Sequence, residues 1–305
     1  MFTYAKQQWE LGKRIYGYHS WREKRRIFLF TARSYKNRSQ LNQLESYFAT
    51  YVSYSNLLQD QEGIWEIINR VFFYKESTAQ ERLECIIQHF DALPKYVTDD
   101  AIRALYSPSE SGIRLWYSEE LALEATLRFM PGQRKEGLLS LLLTYEGDGI
   151  YHINFRLGVD PSGQPCIWVG TIQGYKEGLD KAKKLTKKMH GYRPKNFMFF
   201  LLRQLATCLG IETLYAVSDE GFYTNTHLIR FNRHKLVKFD DFWEELGGHV
   251  WEQDFRFFVI PLAEERKTYE TAKTHKRNMY RKRYEMLDTF IEEIQQQGKT
   301  FLRNQ

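Results

Sequence analysis

The sequence predicts an α+β protein in which a helical N-terminal region precedes a mixed, mostly antiparallel sheet flanked by helices. Apolar residues recur at spacings of three and four from Trp9 to about Tyr106, which is typical of amphipathic helices. From Tyr117 onward, short apolar runs alternate with glycine- and proline-containing turns, and helical spacing returns after Gly174. These changes of period place the sheet in the second half of the chain.

Four consecutive runs are predicted to form an antiparallel meander, at residues 121–130, 138–145, 151–159 and 166–173. The intervening segments PGQRKEG, EGDG and DPSGQP supply glycines that adopt positive φ and prolines that end a ladder. In the third run, His152, Asn154 and Arg156 alternate with apolar residues. One face of this strand is therefore expected to be polar.

Two helices and a buried strand are predicted after Gly174. The segments YKEGLDKAKKLTKKMHG and FMFFLLRQLATCLG have helical character, and Pro194 stands where a helix can begin without an amide donor. The run IETLYAVS then completes a strand, crossover helix and strand over residues 167–218. We divide the chain into a helical region, residues 1–115, packed on an α/β domain, residues 116–263, and a charged C-terminal helix, residues 264–305.

Composition limits the classes of function. The 305 residues are 43% hydrophobic, enough for a large core, and the net charge of +6 with a pI near 9.0 favours an anionic partner. The three cysteines have no C-x-x-C spacing, which argues against a disulfide framework or a zinc site and favours a reducing compartment. No secretory signal follows Met1, and the apolar runs are shorter than the roughly 20 residues of a spanning helix. We expect a cytoplasmic protein.

The densest candidate site is the segment KKLTKKMHGYRPKN, where one predicted helix ends and another begins. His190, Arg193, Lys195 and Asn196 lie in this junction and are candidates for binding a cofactor. A helix N-terminus offers free N–H groups, and Arg and Lys add charge-assisted hydrogen bonds to phosphate. The alternative is a solvated, lysine-rich helix face.

A second cluster follows the predicted strand IETLYAVS. Ser218, Asp219 and Arg230 lie beyond its carboxyl end, where ligands of α/β sheets commonly bind, and are candidates for contacting substrate. His227 is a candidate general base because its ordinary pKa is near neutral, although a lone histidine is more often structural. Ser218 lacks the G-x-S-x-G setting of a hydrolase nucleophile.

A third cluster is the segment FWEELGG. Glu244 or Glu245 would serve as a general base if burial raised its pKa, and one of them could pair with the basic junction. The default alternative is a pair of surface glutamates before a glycine helix cap. No spacing typical of a metal site occurs in the sequence.

Four segments in order, HGYRPKNF, IETLYAVSDE, FDDFWEELGG and THKRNMYRKRYEML, resemble the VirK/YbjX family of Gram-negative bacteria, a domain of unknown function. The resemblance covers most of the chain, from about Trp9 to Phe290. It implies a cytoplasmic protein, or one peripheral at the inner membrane, that contributes to envelope integrity, virulence-associated surface properties and tolerance of antimicrobial peptides. It implies no agreed reaction.

The predicted topology also resembles, more weakly, the GNAT acyltransferase fold. In that fold a loop and helix N-terminus after the fourth strand hold the pyrophosphate of an acyl carrier, and HGYRPKN would be the corresponding loop. The sequence departs from the usual R/Q-x-x-G-x-G/A signature at this point.

Two classes of function follow from these features. The first is an acyl or aminoacyl transferase that uses an acyl-CoA or acyl carrier protein donor and acts on a lipid, a peptidoglycan precursor or a surface protein. The alternative is a non-catalytic module that binds an anionic membrane or an envelope-protein partner through the basic C-terminal helix. Nucleic-acid binding ranks third because no reader motif is present.

Overall fold

The N-terminal region is helical, as its apolar spacing predicts. The computed structural model describes residues 2–51, 54, 56–175, 178–225, 238–268 and 270–303. The helices before the sheet are α1 Phe2–Tyr16, α2 Trp21–Lys36, α3 Arg38–Thr50, α4 Leu57–Asp60, α5 Gly63–Asn69, α6 Ala79–Tyr96 and α7 Asp99–Tyr106. Each of these helices contributes at least one buried apolar side chain.

Local sequence explains where two of these helices begin. Ser20 accepts a hydrogen bond from the N–H of Glu23 at 3.2 Å, and the Glu23 carboxylate accepts one from the N–H of Ser20 at 2.8 Å. Thr78 and Glu81 form the same reciprocal pair at the start of α6. Each pair satisfies two backbone donors that have no partner within the helix, and so defines the starts of α2 and α6.

The second half of the chain contains the sheet. Its described strands are β1 Ile113–Ser118, β2 Leu123–Arg128, β3 Leu139–Tyr145, β4 Asp148–Val159, β5 Pro165–Gly174, β6 Thr213–Val217, β7 His249–Val250 and β8 Phe257–Ile260. They form one sheet in the order β1-β2-β3-β4-β5-β6-β8-β7. The predicted meander is confirmed as β2 to β5, which pair antiparallel in sequence order. The edge strand β1 is an addition that the sequence pattern did not predict.

A parallel pair of strands stands at the centre of the sheet. β5 and β6 pair from Cys166↔Thr213 to Val169↔Ala216, and the connection between them contains α8 Leu179–Lys188 and α9 Pro194–Cys208. The predicted crossover unit and the α+β class are therefore confirmed. A short helix, α10 Asp240–Glu245, precedes the β7–β8 hairpin, and α11 Arg277–Gly298 follows it.

The central strand β4 presents different chemistry on its two sides. Ile153 and Phe155 belong to the hydrophobic core, and α9 packs on β3, β4 and β5. The alternate residues His152, Asn154 and Arg156 form the predicted polar side, but only 4%, 0% and 5% of their surfaces are exposed. Buried polar side chains need hydrogen-bond partners within the protein, so the segments that cover this side of β4 are expected to supply them.

The C-terminal helix α11 docks through its apolar side. Leu287, Phe290 and Ile294 are buried, and the indole N–H of Trp116 in β1 donates to Glu293 at 2.7 Å. One continuous apolar cluster runs from Leu41 in α3 to Phe301 beyond α11. The division into three units at residues 115 and 263 stays a prediction.

Candidate functional site

The sheet opens where its parallel pair ends. β5 continues to Gly174, but its pairing with β6 stops at Val169↔Ala216. Just beyond this point, Gly170 is an extra residue in β5, since Asn154 pairs with Thr171 and Phe155 pairs with Val169. A side chain at Gly170 would overlap the carbonyl oxygen of Glu136. The bulge therefore brings the segment that carries Glu136 against the opening.

Glu136 is the centre of a buried hydrogen-bond network at this opening. It is 7% exposed, and its Oε2 accepts from the side-chain amides of Asn154 at 3.2 Å and Gln173 at 3.1 Å. The phenol of Tyr223 donates to its Oε1 at 3.1 Å. Burial raises the pKa of Glu136 above its ordinary value, although these three hydrogen bonds oppose the shift. Burial thus favours the neutral form of this carboxyl group, and its carboxylate form is a candidate proton acceptor.

His152 lies beside this network on the same side of the sheet. It pairs in register with Gln173, and its ring meets that of Tyr175 edge-on with 5.3 Å between centroids. Burial lowers the pKa of His152 to about 4, so the ring is neutral at physiological pH. Within the described residues, neither ring nitrogen has a hydrogen-bond partner. Such a group is a candidate to accept or donate a hydrogen bond when a ligand arrives.

The N-terminus of α9 lies at the carboxyl end of the parallel pair, as the crossover requires. The first helical hydrogen bond joins the N–H of Phe197 to the carbonyl of Arg193, so the amides of Lys195 and Asn196 have no acceptor within the helix. Arg193 forms an ion pair with Glu245 of α10 and donates to Asn196 at 3.1 Å. Asn196 donates to Glu245 at 2.9 Å. The fold thus joins two predicted cofactor-binding residues to a predicted catalytic one.

Lys195 is more buried than its neighbour Arg193. Its amino group lies 3.8 Å from the centroid of the Phe242 ring. Burial lowers the pKa of Lys195 to about 8, and the charge of Arg193 adds to this effect, whereas Asp219 opposes it. In its charged form Lys195 can bind an anion, and near pH 8 a fraction of its amino group is neutral.

Ser218 and Asp219 hold the segment that leaves β6. The Ser218 hydroxyl donates to the carbonyl of Phe255 at 3.0 Å and accepts from the N–H of Gly221 at 2.9 Å. The Asp219 carboxylate accepts from the N–H of Phe239 at 2.7 Å. These contacts fix the path of the chain between the sheet and α10. They give both residues a positioning role, and a direct contact with substrate stays a prediction.

The other predicted site residues occupy different settings. Glu244 is exposed on α10. His190 adopts a positive φ of 49°, and its carbonyl accepts from Arg283 of α11 at 3.2 Å and 2.9 Å. His227 and Arg230 lie outside the described residues, so their predicted roles stay predictions. In the described part of the chain, no group of three or more His, Cys, Asp or Glu side chains is arranged to hold a metal ion.

A cavity of ≈ 310 Å³ lies on the same side of the sheet as His152, toward the β4–β5 turn. It is lined by Tyr74, Arg156, Pro161, Trp168, Trp251, Gln253, Asp254, Arg256 and Phe257. Arg156 donates to the carbonyl of Leu157 and to Gln88, and its guanidinium lies 5.0 Å from the Trp168 ring. Among the described residues, the Nε of Arg156 and the indole N–H of Trp168 have no hydrogen-bond partner. Aromatic walls around a buried cation suit a planar or sugar-like ligand that carries negative charge.

Glu136 and Tyr223 were not predicted as site residues. Glu136 belongs to PGQRKEG, which has the composition of a turn, and Tyr223 follows β6 by six residues. The one signal in the sequence was the polar stripe His152, Asn154 and Arg156, because a polar face on a central strand requires polar partners.

The chain has relatives in two bacteria. Residues 19–296 match the family described as "Protein of unknown function (DUF535)". An uncharacterized protein of Haemophilus influenzae is 25% identical over 97% of both chains, and a second one from this organism is 25% identical over 84% of this chain and 85% of its own. The uncharacterized protein YbjX of Escherichia coli is 31% identical over 61% of this chain and 54% of its own length. The chain therefore belongs to the DUF535 family of proteins of unknown function, and its resemblance to the VirK/YbjX family is confirmed.

Proposed function

We propose that this protein is an acyl or aminoacyl transferase whose reaction takes place at the opening between β5 and β6. The observation that carries the proposal is the buried Glu136 carboxyl, hydrogen-bonded to Asn154, Gln173 and Tyr223 at the point where the parallel pair diverges. Transfer of an acyl group to an amine or hydroxyl requires a proton acceptor at the attacking atom. A buried carboxyl with a raised pKa suits that role.

The strand order supports the proposal. Antiparallel strands β2 to β5 followed by a helical crossover to a parallel β6 form the order expected from the GNAT resemblance. In that fold the acyl carrier is held at the helix N-terminus that follows the fourth meander strand. The corresponding strand here is β5. The helix that begins within the segment HGYRPKN is α9, and α8 lies between β5 and α9 in the chain.

The residues at the N-terminus of α9 fit the phosphate of such a donor. Two backbone amides, of Lys195 and Asn196, have no acceptor within the helix, and the side chains of Arg193 and Lys195 add positive charge. Together these two amides and two cationic side chains are suited to bind one phosphate group, without a glycine-rich loop. An acyl-CoA and an acyl carrier protein both present a phosphate of this kind. When bound, either donor supplies an acyl group activated as a thioester.

The geometry favours Glu136 over the predicted bases Glu244 and Glu245. Glu245 is committed to Arg193 and Asn196, and Glu244 is exposed on α10. We assign Glu136 the role of accepting the proton from the attacking nucleophile. Tyr223 is assigned the role of orienting the Glu136 carboxylate. Glu245 is assigned to holding Arg193 for the donor phosphate. The role of His227 as a base remains open.

Ligand-induced stabilisation tests the donor site. A thermal-shift screen of the purified protein would use acyl-CoAs, acyl-loaded carrier proteins and, as controls, free acids and nucleotides. We expect at least one acyl donor to raise Tm, and the variant Lys195→Ala to lose most of that shift. A screen in which no donor stabilises the wild-type protein would contradict the proposal.

Product formation tests the role of Glu136. With the donor found in the screen, Glu136→Gln should bind with unchanged affinity but transfer the acyl group at least a hundredfold more slowly, because the proton acceptor is removed. The matched control Glu244→Gln alters an exposed carboxylate of the same type and should react at the wild-type rate. Equal loss of rate in both variants would remove Glu136 from the mechanism.

The cellular setting of this chemistry is also a proposal. The family resemblance supports roles in envelope integrity and tolerance of antimicrobial peptides, for which acylation of a lipid, a peptidoglycan precursor or a surface protein would be suitable reactions. No described helix combines the length and apolarity needed to cross a bilayer.

A further inference from the structure

Helix α2 has an exposed apolar side as well as a buried one. Ile27 and Phe30 are buried in the core, whereas Trp21 and Phe28 are 81% and 63% exposed. Trp21 and Phe28 are seven residues apart, so they lie on the same side of the helix, separated by about 10 Å along its axis. Tyr18, just before the helix, is 45% exposed. A tryptophan and a phenylalanine projecting together from a surface helix indicate a contact site.

A cationic cavity adjoins this side of the helix. The cavity has a volume of ≈ 280 Å³ and is lined by Tyr16, Arg22, Arg25, Arg26, Leu29, Phe30, Arg33 and Arg70. Five of these eight residues are arginines, and four of the five come from α2 itself. A concave surface of this size and composition fits one phosphate-bearing group, because the planar guanidinium donates to phosphate oxygens in pairs.

The charge of this cavity is not neutralised from within the protein. Among the described residues, no carboxylate forms an ion pair with Arg22, Arg25, Arg26 or Arg33, and Arg70 alone is paired, with Glu66 at 2.7 Å. The acidic side chains nearby have other partners. Glu10 pairs with Lys13, Glu62 pairs with Arg14, and Glu23 accepts from the N–H of Ser20. Glu66 pairs with Arg134 as well as with Arg70. Four guanidinium groups therefore remain available to an external anion.

We propose that α2 binds the surface of a membrane containing anionic phospholipid, with the arginine cavity holding a lipid phosphate and with Trp21 and Phe28 entering the interfacial layer. Tryptophan and phenylalanine beside arginine are typical of helices that lie in this layer. The apolar side chains project beside the cavity, where acyl chains would lie if a headgroup occupied it. The inference does not rest on the proposed transferase activity.

Vesicle flotation tests the inference. The full-length protein is floated with phosphatidylcholine vesicles, with or without phosphatidylglycerol, at low and high salt. We expect binding to the anionic vesicles at low salt, weakened by high salt, because screening reduces the attraction between arginine and phosphate. Failure of the wild-type protein to bind phosphatidylglycerol vesicles at low salt would overturn the inference.

Two sets of substitutions separate the two parts of the surface. The variant Arg22→Gln/Arg26→Gln/Arg33→Gln should bind anionic vesicles about a hundredfold more weakly, at about fivefold for each charge removed. The variant Trp21→Ala/Phe28→Ala should bind more weakly at every salt concentration and retain the salt dependence. All these residues except Arg33 are exposed, so melting curves should stay close to that of the wild type. If a multiple variant loses binding because it unfolds, the single variant Arg22→Gln provides the test. This variant must still weaken binding to anionic vesicles several-fold.

A matched control comes from the C-terminal helix. Lys276→Gln/Arg281→Gln/Lys282→Gln removes three exposed cations, two from α11 and one directly before it, the same change of charge at another place. This variant should bind vesicles as the wild type does. If it loses binding to the same extent as the α2 variant, net charge and not the α2 surface is responsible, and the inference fails.

Other ligands of the cavity give distinguishable results. Stabilisation by inorganic phosphate or glycerol phosphate without vesicle binding would identify a free phosphate compound as the ligand. Single-stranded RNA that displaces the protein from vesicles, and whose own binding is lost in Trp21→Ala/Phe28→Ala, would identify a nucleic-acid surface. Either result would overturn the assignment to a membrane.

Discussion

Burial has more effect than neighbouring charge on the ionisable residues of the candidate site. It raises the pKa of Glu136, lowers that of Lys195 to about 8 and lowers that of His152 to about 4. In each case the shift favours the neutral form, as expected when a charged group leaves water. The opening between β5 and β6 thus contains three ionisable groups whose neutral forms are favoured by burial, which is useful for proton transfer and costly for stability.

The acid sensitivity of the protein should depend in part on His152. Its pKa is about 4 in the folded protein and near 6.5 in the unfolded chain, so the unfolded chain binds a proton first as pH falls. The free energy of unfolding should therefore decrease between pH 6.5 and pH 4, by about 3 kcal/mol from this residue. The variant His152→Leu should lack this part of the decrease. Urea unfolding at several pH values measures it, with the exposed His275→Leu as a control whose profile follows the wild type.

The opposite pH dependence is expected from Glu136. Because the pKa of Glu136 is raised in the folded protein, the folded state retains a proton that the unfolded chain releases. Stability therefore falls as pH rises from the ordinary pKa of a glutamate through the raised pKa of the folded protein. Substitution by glutamine removes this titration. As pH rises above the ordinary pKa of a glutamate, the free energy of unfolding of the wild type should therefore decrease relative to that of Glu136→Gln. A difference that is constant with pH would show that Glu136 does not titrate abnormally.

At the residue scale, the sequence indicates candidates but not their partners. Arg193 and Asn196 could be proposed as anion-binding residues because they stand at a predicted helix start. Their contact with Glu245 joins residues 49 and 52 positions apart, and no local pattern predicts it. The same limit applies to Glu136, whose partners come from β4, β5 and the segment after β6.

At the scale of single elements, the bulge in β5 is the feature that shapes the site. Gly170→Ala would place a methyl group onto the carbonyl of Glu136, and the nearest atoms are backbone atoms that cannot move away easily. We expect a loss of about 3 kcal/mol or more in stability, together with weaker donor binding. Gly132→Ala is the matched control, since no atom lies within 4 Å of the added methyl group. Equal stability of the two variants in urea unfolding would contradict this role of the bulge.

Helix α11 depends on Arg283 for its position. Its guanidinium donates twice to the carbonyl of His190 and lies over the Tyr192 ring, 5.6 Å from the centroid. Arg283→Gln should lower stability by about 1 kcal/mol, because a charge-assisted hydrogen bond to a part-buried carbonyl is lost. The neighbouring Lys282→Gln is exposed and should have no effect on Tm. Membrane binding through this basic helix was the alternative function in the sequence analysis, and one of its cations, Arg283, has a partner within the protein.

Strands with strong local signals were predictable, and edge elements were not. The meander β2 to β5 has regular apolar runs and turn residues that specify its hairpins. β1 lies at the sheet edge, where Arg114 and Tyr117 are exposed, and the two-residue β7 is shorter than any sequence pattern. Their strand conformation comes from pairing with β2 and β8, which the sequence does not reveal locally.

At the scale of the whole molecule, a buried ion-pair cluster ties the helical region to the sheet. The side chain of Glu66 in α5 is 1% exposed and pairs with Arg70 of the same region. It also pairs with Arg134 from the segment between β2 and β3, and the Lys135 amino group of this segment lies 3.9 Å away. Burial by itself would raise the pKa of Glu66, but Arg134, Lys135 and Arg70 lower it below its ordinary value. The continuous apolar cluster also crosses this boundary. We therefore expect the whole chain to unfold in one transition.

The variant Glu66→Gln tests this coupling. Removing the buried carboxylate leaves three partly exposed cations without their shared partner, which should cost about 2 kcal/mol of stability, less than the loss from a fully buried pair. The control Glu62→Gln breaks an exposed pair with Arg14 and should cost less than about 1 kcal/mol. Because the pKa of Glu66 is lowered by folding, its contribution is present above the ordinary pKa of a glutamate and is lost as pH falls, so the two proteins should converge in acid. Calorimetry and circular dichroism should report a single transition in both. Separate transitions for helix-rich and sheet regions would show that the N-terminal helices form an independent unit.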